Sequence, residues 1–214
     1  LKMKRFTLLF IILAVSITYG QTAQDSINDP QKQLNAAQRI LSGNYGKAIT
    51  VGVYGEITYN QPESMNGELD VQRMVLLFGY KFNDKTQFIT EVEIEHVEEV
   101  FVEQACVNYN VVDNISLRGG LMLVPMGIIN EYHEPTTFNG VERPAVDNAI
   151  VPTTWREMGV GLTGRIPEAS ISYQAYIFNG FKSTENDDGE VTGFLKGSNG
   201  LRSGRQKGIR STID

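Results

Sequence analysis

From residue 48 onward, apolar and polar residues alternate in segments of roughly ten residues bounded by turn residues, and no long helical periodicity interrupts them. The alternation predicts seven strands, at 48–60, 69–82, 86–96, 101–112, 116–124, 156–165 and 169–178. In the first, Ile49, Val51, Val53, Ile57 and Tyr59 oppose Thr50, Glu56, Thr58 and Asn60. The fifth sets Leu117, Leu121 and Leu123 against Ser116, Arg118 and Gly120, and the sixth sets Met158, Val160 and Leu162 against Glu157, Gly159, Gly161, Thr163 and Arg165. The seventh opposes Ile171, Tyr173, Ala175 and Ile177 to Ser170, Ser172, Gln174 and Tyr176. Only the second is ambiguous, because Met74 to Phe78 is apolar on both faces.

The third strand carries a comb of carboxylates, Glu91, Glu93 and Glu95, with Val92 and Ile94 between them. A basic side chain facing lipid at the bilayer midplane costs about 2–4 kcal/mol and an acidic one somewhat less. Three such residues would strain a fold whose total stability is roughly 5–15 kcal/mol. In water, carboxylates about 7 Å apart repel by only about 0.6 kcal/mol before screening. The comb is therefore expected on the water side, with Phe88, Val92 and Ile94 facing lipid.

Connections alternate in length. Asn83-Asp84-Lys85, Asp113-Asn114 and Pro167-Glu168 are tight, whereas 61–68, 125–155 and the stretch from 179 onward are long; His96 to Val100 is a short link on the long side. Short turns at one end and longer loops at the other point to an up-and-down transmembrane β-barrel with the short turns in the periplasm. Phe82, Tyr109, Tyr59, Tyr173 and Trp155 near strand ends are placed as interfacial girdles. A three-residue loop at Asn83 to Lys85 would pair Phe82 with Thr86, setting Arg73 opposite Glu95 and Leu77 opposite Glu91. An Arg73–Glu95 pair in a hydrated lumen should contribute about 0–1 kcal/mol.

The N-terminus supplies the compartment. Lys2, Lys4 and Arg5 flank an apolar run to Ile17, and Thr18 and Gly20 supply small residues for a cut, so residues 1–20 read as a signal peptide. Removing those three cations takes the formal charge from -6 to -9, which argues against nucleic acid as a partner. One cysteine, Cys106, excludes an internal disulfide. Residues 21–47 form a periplasmic segment in which Leu34, Ala37, Ile40 and Leu41 have helical spacing, and 48–214 forms the N-terminal part of the barrel.

Several blocks, "EVEIEH" at 91–96, "LRGGLMLVPMG" at 117–127, "NEYHEP" at 130–135, "VERP" at 141–144 and "IVPTTWREMGVGLTG" at 150–164, resemble outer-membrane porins of Bacteroidetes-type bacteria, relatives of the phosphate-selective porin O and P family. The resemblance implies a trimeric antiparallel β-barrel of about sixteen strands in the cell outer membrane. It also implies passive diffusion of small polar or anionic solutes, and a third external loop, 125–155, that folds inward as a constriction.

Expected pore-lining residues are Glu56, Arg73, Glu91, Glu93, Glu95, Arg118, Glu157 and Arg165, with Glu131, His133, Glu134, Glu142 and Arg143 in the constriction loop. This mixture suggests a general porin with mixed charge and not a dedicated phosphate channel. An odd strand number and the basic, glycine-rich stretch from Phe194 to Asp214 suggest the first half of a longer barrel, because bacterial barrels close with an even number.

Glu131, His133 and Glu134 on one loop are a weak metal signal without a second cluster, so no metal and no cofactor is expected. Glu91 and Glu93 project the same way, but carboxylates in a wide wet channel lack the burial that tunes a catalytic acid. No nucleophile elbow, phosphate loop or zinc-protease helix occurs, so enzyme activity is not expected. Two other readings stay open: a secreted β-sandwich that binds glycans, and an outer-membrane barrel enzyme with its cluster between Asn130 and Asp147.

Overall fold

A computed structural model describes residues 35, 49–127, 129–137, 139–141, 143–145, 147 and 154–181. The expectations for the signal peptide, Glu142 and the stretch 194–214 lie outside the described residues, as does the segment 21–47 with its helical spacing apart from Asn35, which is buried. What is described is all-β: one antiparallel sheet in which each strand pairs with the next in sequence. The strands are β1 (Ile49–Asn60), β2 (Glu68–Lys81), β3 (Thr86–Glu95), β4 (Glu99–Val112), β5 (Ile115–Leu123), β6 (Arg156–Ile166) and β7 (Ile171–Phe178). Among the described residues β1 and β7 each have one paired neighbour, so the sheet is open.

Turn chemistry fixes the register. The Asn83 side chain accepts from the amides of Lys85 and Thr86, both at 2.9 Å, and locks the β2–β3 hairpin. Arg73 consequently lies opposite Glu95, and Leu77 opposite Glu91, as the turn length predicts. The β3–β4 link is tighter: His96 and Val97 both adopt positive φ, of 49° and 73°, an uncommon conformation for a β-branched valine. His96 sits at the rim, its Nδ1 2.6 Å from Asp70 Oδ2.

The two faces of the sheet differ sharply in exposure. Aliphatic residues of the outer strands are bare: Val53 is 54% exposed, Ile57 68% and Ile177 77%. The opposite face is covered, and the ambiguous run in β2 divides accordingly, with Val75 and Leu77 buried and Met74 and Phe78 exposed. Covered apolar contacts are small: Ile89, Cys106 and Met122 pack with Tyr176 and Phe178, and Val75 and Leu77 pack with Tyr54. Gly159 and Gly161 of β6 make room for the first group, because a Cβ at either would run into the ring of Phe178 or Tyr176.

One expected girdle residue is misplaced. Trp155 is buried, stacked near Phe181 and donating its indole N–H to Glu157 at 3.2 Å, because the loop end it occupies turns inward. Phe82, Tyr59 and Tyr109 do lie exposed.

Candidate functional site: a buried charge cluster beneath the long loop

Strand alternation sends Ile89, Glu91, Glu93 and Glu95 to the covered face of β3, beside Arg73, Val75 and Leu77 of β2. On β4 the register slips. Gln104 pairs with Glu91, but Val102 pairs with Val92, so Glu103 is an extra residue. This bulge turns two adjacent side chains, Glu103 and Gln104, to the same face, where both are buried.

The segment after β5 folds across this face and is held there by Asn130. Its side-chain amide donates to the carbonyls of Val124 (2.6 Å) and Trp155 (2.9 Å), and its oxygen accepts from the Trp155 amide at 2.7 Å. The two loop ends are thereby tied together. A single 3-10 turn, Asn130–Tyr132, then delivers His133 onto β4, with Nε2 2.9 Å from Glu103 Oε2 and 4.0 Å from Glu91 Oε1.

Two linked ionic groups result. Arg73 donates to Glu56 and to Glu93, each at 2.9 Å, and lies 4.0 Å from Glu95. The cross-strand Arg73–Glu95 contact is thus the weakest of three. The expectation of a water-filled setting is corrected as well, because the arginine and Glu93 are buried and this network is shielded from solvent. Removing charges from water is costly unless they are paired, and here each finds a partner. The second group joins Glu91, Glu103 and His133, with Arg156 3.6 Å from Glu103 and lying over the Phe101 ring.

His133 faces acceptors from both ring nitrogens, since Nδ1 is 3.1 Å from the Asn130 carbonyl. Only the imidazolium can donate twice. Burial disfavours that charge, but the Glu103 carboxylate beside it, helped by Glu91 and opposed by Arg143, prevails and raises the pKa from 6.5 to about 9. A raised pKa adds stability that is complete below the unfolded value and is lost as the pH climbs through the folded one. In chelator-treated protein, docking of the loop should therefore be firm below pH 6.5 and weaken up to about pH 9. Limited proteolysis of 125–155 across that range should accelerate with pH; a flat profile would contradict the assignment.

The remaining expected residues disperse. Glu157 is buried and accepts from Trp155 and from Asn179 (3.0 Å). Arg118 reaches Asn108 at 3.4 Å and Tyr176 at 3.5 Å, whereas Arg165 is exposed at the short-turn end. Glu131 accepts from Gln174 of β7 at 2.8 Å; burial raises its pKa against the pull of Gln174 and Arg118. Arg143 donates to Thr154 at 3.3 Å, and burial, then repulsion from Arg73, lowers its pKa. Glu134 is buried. Glu131 and His133 thus go to different strands and do not form the loop trio weighed from the sequence. The premise that Glu91 and Glu93 stand in open water is also overturned: their exposures are 1% and 3%, because the loop lies over them.

Glu103, Gln104, Asn130 and Arg156 escape the sequence reading. A signal for the first two exists, since the apolar residues Val100, Val102, Ala105 and Val107 carry one three-residue interval inside a two-residue repeat.

Comparison with known proteins adds one relation. The chain is 41% identical over 181 residues to an uncharacterized protein of Aquifex aeolicus (strain VF5), an alignment covering 78% of this chain. The chain spans 39% of the length of that relative. No family model matches the chain, and no solved structure matches it.

Proposed function

We propose that this chain forms part of the wall of an outer-membrane porin, a water-filled barrel that passes small polar or charged solutes by diffusion. The observation that carries this reading is the inversion of the two faces. Ile49, Val51, Val53 and Ile57 of β1, Val160 of β6 and Ile177 of β7 stand bare on one side, while Glu56, Arg73, Glu93 and Arg118 occupy the other. Water tolerates isolated exposed apolar side chains but seldom a contiguous sheet of them, whereas hydrocarbon favours such a surface. A secreted sandwich would instead cover this aliphatic face with a second sheet.

A closed barrel requires partners for the outer edges of β1 and β7, which strands of a longer protein would supply. The inward loop narrows the lumen over the charged face, and the mixture of the half-buried Arg118 and Arg143 with Glu95 and Glu131 favours weak ion preference. A homotrimer, in keeping with the resemblance to porins, completes the proposal.

Planar-bilayer recordings of the full-length protein test it. Ohmic conductance with a small reversal potential in a salt gradient is the expected result. Absence of conductance would reject the porin, and strong anion selectivity with block by phosphate would reject the mixed-charge version.

A further inference from the structure

We propose that Glu91, Glu103 and His133 form a site for a divalent first-row metal ion of the zinc type, which would fasten the 125–155 loop to the barrel wall. Their ligand atoms lie within 4.8 Å of one another. His133 Nε2 lies 2.9 Å from Glu103 Oε2 and 4.0 Å from Glu91 Oε1. Ligand atoms on a tetrahedral zinc with bonds near 2.0–2.1 Å are roughly 3.3 Å apart.

What separates this cluster from an ordinary ionic network is how the far side of each ligand is held. His133 presents Nε2 to the centre while Nδ1 is held by the Asn130 carbonyl. Glu91 accepts from Gln104 at 2.6 Å through Oε2, leaving Oε1 directed at the centre. Glu103 offers Oε2, and its Oε1 is 3.6 Å from Arg156. Each ligand thus has one atom on the common point and another oriented by an outer partner, the arrangement metal sites use to fix ring tautomer and carboxylate angle.

A second observation is independent of these contacts. Glu91 is 1% exposed, yet its Oε1 has no hydrogen-bond partner, and the hydroxyl of nearby Tyr54 is likewise buried without one. Buried unpaired polar atoms are costly and rare in native proteins. A cation bound by Glu91 Oε1, with a water or Tyr54 beside it, accounts for both. The two carboxylates match the charge of a divalent ion when the imidazole binds through an unprotonated Nε2. Imidazole with two carboxylates suits zinc and its neighbours better than calcium, which prefers oxygen alone.

The experiment is metal analysis of the full-length protein in detergent, stripped with chelator and reloaded with zinc alone. One equivalent per chain should be retained, and cobalt in its place should give the visible absorption of a tetrahedral ion. Glu91→Gln, which preserves shape and the Gln104 contact, and His133→Ala should abolish retention. Gln104→Ala should weaken affinity by about 10–100-fold. Retention below a tenth of an equivalent, absence of cobalt absorption, or unchanged binding in both ligand variants would overturn the proposal. Conductance measured on the same samples reports on the pore separately, so either idea can fail alone.

Discussion

Replacing Arg73 with methionine should destabilise the full-length protein by about 3–5 kcal/mol, the usual cost of removing one member of a buried ionic group. The guanidinium holds Glu56 and Glu93 at 2.9 Å each, and both carboxylates are largely withdrawn from solvent. Methionine fills the space but leaves two carboxylates facing one another across the sheet without their cation. Arg73→Lys should lose less, because it keeps the charge while giving up the planar fork that reaches two acceptors at once. Urea unfolding in lipid vesicles gives the comparison. Should Arg73→Met shift stability by less than about 1 kcal/mol, the network would be a solvated one of the kind that adds little.

A second large effect is expected on the other face. Val53→Arg lies midway along β1, opposite Leu76, with its side chain bare. If that surface meets hydrocarbon, arginine there costs about 2–4 kcal/mol. If it meets water, the change is a surface substitution worth no more than about 0.5 kcal/mol. The same unfolding assay therefore distinguishes bilayer from solvent at a single position. A variant as stable as the parent would remove the main support for the barrel.

Much of the sheet was legible because alternation and turn residues are local. The Asn83 turn alone sets β2 against β3, and the observed pairing of Arg73 with Glu95 follows from it. The polar faces of β1, β5, β6 and β7 were equally readable. Two things were not. Burial of Glu91 and Glu93 depends on where the loop lies, and nothing within β3 encodes that. The partner of His133 depends on the β4 bulge, which puts Glu103 on the same face as Gln104. A loop histidine beside two glutamates in sequence drew attention to Glu131 and Glu134, whereas its true neighbours come from strands about 30 and 40 positions earlier, brought near by the sheet.

Cys106 is the chain's sole thiol, and it lies sealed between Ile89 and Met122. Those three residues come from three successive strands and Tyr176 and Phe178 of β7 pack over them, so alkylating reagents reach the sulfur when this packing opens. The speed of labelling at this atom is therefore a built-in gauge of the integrity of the sheet, with no engineered cysteine needed.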